Sequence, residues 1–332
     1  MVRAFPLKPG LLLLALLIPA VFAHLFVGYN GLNWQNLSQG LSPQQWFILQ
    51  ELRLPRVVMA MVVGAGLAVA GVALQALFRN PLAEPGLIGV ASSSAFGAVF
   101  IMVLGGVLWQ QVALWQVGIS AFLAGLLATY LIYRLATRKG QTDVALMLLA
   151  GVAVNALMGA GTQMLLSVAD LVELRSVTFW LMGSLVNLPW SSVLLVLFIV
   201  LLSTVMLWRL VRAMNAFVLG EQSAIYMGFA SDRLKWQVIF FSALMVSAAV
   251  ALVGVIGFVG LVVPHMIRLW VGADHRLVLP LSALGGALLL VLADWLARIL
   301  LYPLELPIGL LMALLGAPFF LMMLLKRRQG WQ

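Results

Sequence analysis

Three observations predict an all-α polytopic membrane protein of about ten transmembrane helices. First, the 332 residues are 64% hydrophobic and 9% charged, with a mean hydropathy of +1.12, whereas soluble domains carry about 25% charged residues. Second, the apolar residues come in runs of about twenty, enough to span ~30 Å of hydrocarbon at ~1.5 Å per residue. The alternating ~10-residue segments of a membrane barrel do not occur. Third, the cations are distributed asymmetrically. With the N-terminus inside and ten alternating spans, only Arg53, Arg56, Arg175 and Arg298 fall outside, and the other fifteen of the 19 Lys+Arg fall inside. That is a positive-inside pattern, and it places both termini in the cytoplasm. Residues 1–332 then read as one transmembrane domain.

The first element, about Leu11 to Val27, follows Arg3 and Lys8 and reads as an uncleaved first span. A signal peptide ending at Val21-Phe22-Ala23 is the alternative. A polar stretch from Tyr29 to Gln50 follows, with Trp34 and Trp46 suited to the interface. Within it, Ser42-Pro43 reads as the cap and first turn of a short surface helix. Spans 2 to 5 are expected at about Pro55–Leu77, Gly86–Leu108, Val112–Leu135 and Val144–Val168. Spans 6 and 7 follow at about Ser191–Leu210 and Trp236–Ile256. Span 8, about Gly257–Val271, is short and interrupted by Gly257, Gly260 and Pro264. Broken backbone at that depth must be satisfied by protein or water. Spans 9 and 10 close the chain at about Leu277–Leu301 and Pro307–Leu325.

Two connections exceed simple turns. Residues 169–189, outside, read as an amphipathic segment lying along the surface. Residues 209–235, inside, form the longest cytoplasmic loop and carry a short helical stretch bracketed by Gly220 and Gly228. Glu221 falls in its first turn, where an anion favours the helix dipole. The spans that begin at residues 55 and 236 each lead into a Gly- and Pro-interrupted region (80–89 and 257–264), which suggests inverted-repeat-like halves.

The organising stretch is Leu52-Arg53-Leu54-Pro55-Arg56, an apolar helix, and then Arg79-Asn80-Pro81-Leu82-Ala83-Glu84-Pro85-Gly86. Gly64, Gly66 and Gly71 leave the helix surface bare, so neighbours can approach closely in lipid. It is expected to be a central helix of the bundle.

No enzyme site assembles from the sequence. P-loop, G-x-S-x-G and H-E-x-x-H patterns are missing. The absence of cysteine excludes disulfides and thiolate chemistry. His24, His265 and His275 are too scattered for a metal motif. The net charge of +9 belongs to short loops and sets orientation; it is no nucleic-acid footprint. Ser92-Ser93-Ser94 reads as helix-packing glue, with a membrane enzyme as the alternative. Asp294 and Arg298, four apart, are expected to form an intrahelical ion pair. Arg53 and Arg56 are either interfacial anchors or a cationic docking patch. Asp294 or Glu305 would serve an ion-coupled secondary transporter, which stays open as a second function.

The chain resembles the permease subunits of the FecCD-type ABC importers. The resemblance rests on Leu52–Arg56, Gln75–Gly86, Leu219–Gly228, Gly257–His265 and Glu305–Gly309, in family order along the chain. It implies ten helices per subunit, a second permease subunit (a homodimer), two cytoplasmic ATPases and a periplasmic binding protein, in the bacterial inner membrane. The cargo class would be an iron chelate, haem or a ferric siderophore, with cobalamin as the alternative. The chain would bind no cofactor, metal or nucleic acid; ATP and Mg would sit on the ATPase. By resemblance, Arg53, Arg56 and Arg298 would receive acidic groups of the binding protein. Gly220, Glu221, Ala224 and Gly228 would lie in the ATPase-coupling segment. Span 5, with Asn155, Thr162, Gln163 and Met164, would line the pathway.

Overall fold

The computed structural model describes residues 7–26, 40–109, 112–138 and 141–329. The readings at Arg3, Val27, Tyr29, Trp34 and Lys139 fall outside these residues. The helices in chain order are α1 (Leu7–Phe26), α2 (Pro43–Phe47), α3 (Leu54–Leu77), α4 (Val90–Trp109), α5 (Leu114–Ala136), α6 (Val144–Val168) and α7 (Leu171–Leu181). Then come α8 (Trp190–Arg209), α9 (Val211–Val218), α10 (Glu221–Tyr226), α11 (Ser231–Val253), α12 (Val259–Val271), α13 (His275–Ile299) and α14 (Ile308–Gln329). Among the described residues, seven helices are long and apolar enough to cross a membrane. Val90–Gly106, Val259–Val271 and Ile308–Met323 are shorter apolar helices, and together these occupy the ten expected spans.

Helix α3 is the centre. Nineteen of its 24 residues are buried, and it packs against α13, α11, α12 and α8. The glycines explain how. A Cβ on Gly64 would lie 2.2 Å from the Gly286 carbonyl oxygen on α13, and one on Gly71 would lie 1.9 Å from the Gly260 carbonyl oxygen on α12. Both contacts are backbone against backbone, which only glycine permits.

The surface helix expected at Ser42 is not separate. Ser42 caps α2 with a full capping box, but the chain continues through a π-helical turn, Ile48–Arg53, into α3. Pro55 has no N–H to give to the helical ladder, and a wider turn just before it keeps the helix continuous.

The two interrupted regions meet. After α3, the chain turns through Arg79 (φ 47°) and a 3₁₀ turn, Pro85–Ile88, closed by Gly89 (φ 75°). That turn delays α4 to Val90, four residues later than expected. Before α12, the backbone leaves the helix at Gly254 (φ 72°) and re-enters at Phe258 (φ 67°). The Gln75 amide donates to the Gly260 carbonyl (3.1 Å), and the Phe258 N–H donates to the Glu84 carboxylate (2.7 Å). Side chains at the end of α3 and in the first break therefore satisfy backbone groups at the second, as backbone inside a membrane requires.

Candidate functional site

Polar groups gather at the two ends of α3, about 36 Å apart for 24 residues at ~1.5 Å each, and on one face of α6. At the first end, Asp294 of α13 is 1% exposed. It accepts from Arg56 Nε (2.7 Å) and Nη2 (3.0 Å) and from His24 Nε2 of α1 (2.7 Å). Arg56 also donates to Glu305 (2.9 Å), whose side chain is 41% exposed. Asp294 thus takes partners from two other helices, besides lying four residues from Arg298. The Arg56 guanidinium approaches this carboxylate from α3 with fork geometry, which adds strength and specificity.

Arg298 donates to the His24 carbonyl (2.8 Å), and Arg53, 5% exposed, donates to the Leu25 carbonyl. The last carbonyls of a helix lack intrahelical donors and carry the negative end of its dipole. Two arginines, from the π-helical turn before α3 and from α13, thus cap the C-terminal turn of α1. The distribution of cations along the chain places these arginines at one surface, but the capping is a tertiary contact. The signal was available only as His24 near the end of an apolar run. Of the three, Arg56 and Arg298 remain partly exposed. A cavity of about 430 Å³ opens beside Arg56, lined by Asp294, Glu305, Trp180, Phe179 and Met102. Its wall is α7, the expected amphipathic segment, capped by Asp170 and Glu173.

At the other end, Arg79 lies over the ring of Phe217 (6.0 Å to its centroid), which brings α9 under α3. The 209–235 loop folds into α9, α10 and the first turn of α11. Gly220 (φ 128°) and Gly228 (φ 86°) bracket α10 in conformations that L side chains rarely adopt. Ala224 is fully buried beneath it, while Tyr226 is 87% exposed and Met227 and Ile225 stand beside it. Helix α10 therefore presents an apolar face to its surroundings on a rigid mount.

Glu221 opens α10 and accepts from Ser231 Oγ (2.6 Å) and Lys235 Nζ (2.5 Å). Partial burial pushes its carboxyl up, but the Lys235 and Ser231 hydrogen bonds outweigh that and hold it below the ordinary carboxylate range. It is therefore an anion at neutral pH, and the tie weakens only as pH falls through that depressed value. Lys235, 1% exposed, also donates to the Thr142 carbonyl (2.9 Å).

Helix α6 carries the four expected pathway residues. They do not share one environment. Asn155 Nδ2 donates to the Gly86 carbonyl (3.1 Å), and Asn155 also contacts Ser92 Oγ, which joins α6 to the 3₁₀ turn and α4. Thr162 is buried and donates to its own helix at Met158 (2.8 Å). Gln163 and Met164 are exposed. A larger apolar groove of about 940 Å³ runs between α5 and α11, lined by Trp115, Leu123, Tyr130 and Trp236, and holds no charged group. Among the described residues no three of His, Cys, Asp or Glu gather as metal ligands would.

Comparison with known proteins supplies the remaining context. The FecCD transport family matches residues 13–326. The hemin transport system permease protein HmuU of Yersinia pestis is 42% identical over 318 residues, covering 96% of this chain and 95% of its own length. The vitamin B12 import system permease protein BtuC of Vibrio cholerae is 42% identical over 329 residues, covering 97% and 95%. A solved structure described as an inward-facing metal-chelate type ABC transporter superposes with a TM-score of 0.87 at 35% identity, covering 96% of this chain and 99% of that one. A bundle built on a glycine-lined central helix, matched along nearly its whole length by transport permeases, belongs to the FecCD transport family as a multi-pass membrane permease.

Proposed function

We propose that this permease is the membrane subunit of a binding-protein-dependent ABC importer and that its cargo is an iron chelate, haem or a ferric siderophore. The observation that carries this reading is the full-length likeness to a hemin permease, supported by a metal-chelate type transporter of the same fold. Cobalamin is the second reading, favoured by a BtuC relative of equal identity. The chain works as a pair of identical subunits in the bacterial inner membrane, with both termini cytoplasmic. ATP and Mg are held by two cytoplasmic ATPases, because no residue pattern here can hold them. Energy then enters by contact, and α10, with Gly220, Glu221, Ala224 and Gly228, offers the exposed apolar face for it.

At the opposite end, Arg56 receives an acidic group of the periplasmic binding protein, backed by Arg298 and the buried Arg53. The exposed Glu305 already shows the geometry by which a carboxylate engages Arg56. Between the ends, α6 borders the pathway with Asn155, Thr162, Gln163 and Met164. These are modest polar groups, suited to a cargo that passes rather than stays. Opening toward either side follows from two packings of the bundle, biased by nucleotide.

The test is uptake into liposomes that hold this chain with its ATPase and binding protein, with haem, a ferric siderophore and cobalamin offered in parallel. ATP-dependent accumulation of haem or the siderophore is expected. Accumulation of cobalamin alone transfers the assignment to the second reading. Transport that continues without ATP and collapses with an uncoupler overturns the importer in favour of an ion-coupled carrier. In the same assay, Arg56→Glu is expected to abolish stimulation by the binding protein at low salt. Undiminished stimulation removes the docking role.

A further inference from the structure

We infer that Lys235 is a positioning residue that fastens the coupling helix α10 to the start of α6, so that a displacement of one is carried to the other. The inference rests on the coupling role proposed for α10.

A lysine is almost never fully buried unless paired, and the Lys235 side chain is 1% exposed. Its ammonium has three donors, and three acceptors surround it: Glu221 of α10 (2.5 Å), the Thr142 carbonyl (2.9 Å) and Asp232 (3.5 Å). Asp232 lies on the same helix as Lys235, but Glu221 and Thr142 belong to two other elements, so the contact is tertiary. The first turn of α11 works as a bracket. Ser231 and Lys235, four apart and on one face, hold Glu221. Asp232 and Lys235, three apart, hold Thr142 from both sides: Asp232 accepts from its N–H (3.3 Å) while Lys235 donates to its carbonyl.

Thr142 is not a free loop residue. It ends a two-residue antiparallel pairing of Thr137–Arg138 with Gln141–Thr142, and its hydroxyl meets that of Thr137 (3.0 Å). The next residue, Asp143, caps α6 by accepting from Ala145 N–H (2.8 Å) and Leu146 N–H (3.1 Å). From Glu221 to the first turn of α6, every link is therefore a hydrogen bond or a covalent bond. Two rigid elements joined in this way move together, whereas packing contacts alone let them slide. A compact ammonium suits three acceptors arranged around a point, and a planar guanidinium does not.

The test uses the full complex in liposomes with Lys235→Met, a side chain of similar length without the donors. The ATPase is expected to bind and to hydrolyse ATP, while uptake per ATP falls about tenfold, within the ~5–150-fold range of coupling between sites. Loss of fold would reduce the amount of complex rather than this ratio. Because the chain lacks cysteine, spin labels at Tyr226→Cys on α10 and Leu146→Cys on α6 report the fastening directly. A narrow distance distribution with Lys235 and a broad one with Lys235→Met are expected. Unchanged uptake per ATP, or an unchanged distribution, overturns the inference. If the unsubstituted chain binds no ATPase, the coupling role of α10 falls, while the spin-label arm still decides the fastening. Should Lys235→Met fail to fold, Asp232→Ala frees the Thr142 N–H and leaves the ammonium in place. It is expected to broaden the distribution in part, and an unchanged width again overturns the inference.

Discussion

Asp294→Ala is expected to destabilise the folded permease by about 3–5 kcal/mol, the cost of breaking a buried pair from one side. Asp294 is fully enclosed and serves two partners, Arg56 and His24. Without it, Arg56 keeps only Glu305, which sits at the exposed edge, and its Nε and Nη2 donors are left without a partner between packed helices. The penalty belongs mostly to those stranded donors. Asp294→Ala combined with Arg56→Met is therefore expected to recover most of the loss, since replacing both partners by apolar groups is close to neutral. Thermal unfolding of the purified chain in detergent checks both. A double variant no more stable than the single one would show that the carboxylate contributes through something other than its pair. A further readout is α1, which this network ties to α3 and α13 through the side chain of His24 and the carbonyls of His24 and Leu25. Hydrogen exchange of the α1 backbone amides is expected to accelerate in Asp294→Ala.

Gly71→Val is the second substitution with a large expected effect. Even the first atom of the new side chain would overlap the Gly260 carbonyl oxygen. Overpacking an interior by side chains costs about 1–3 kcal/mol, and here the obstacle is backbone, which cannot rotate aside. Separating α3 from α12 would also break the Gln75–Gly260 hydrogen bond and pull Phe258 away from Glu84. The interruption before α12 would lose the partners that make it tolerable in a membrane. The monodisperse fraction after detergent extraction and heating is expected to fall sharply. Gly106→Ala, at a helical position with no atom within 4 Å of a built Cβ, is the control and is expected to leave it unchanged. A Gly71→Val protein as monodisperse as the control would mean that α12 can move away from α3 without loss.

Much of this architecture is legible from composition and spacing. Apolar runs of bilayer length locate the helices because lipid forces every backbone group to be satisfied within its own segment. The bare face of Gly64 and Gly71 announces a close neighbour because only missing side chains let backbones touch. Gly220 and Gly228 mark the ends of α10 because each sits at a positive φ that other residues avoid. These are local properties, fixed within a few residues of where they are read.

The partners of the charges are not local. Asp294 lies four residues from Arg298, but it also binds Arg56 and His24, 238 and 270 residues away, which no local pattern announces. Lys235 reads as one more inside cation, yet it is buried between Glu221 and Thr142. The sequence alone determined the class of fold, the helices, the close approaches and the family resemblance, because helix formation and membrane insertion depend on residues near in the chain. Only the tertiary structure decided which neighbour each glycine meets, which carbonyls the arginines cap and which carboxylate each cation holds. Those choices depend on which helices the packing brings side by side, and a buried charge must be paired by whatever groups that packing places around it.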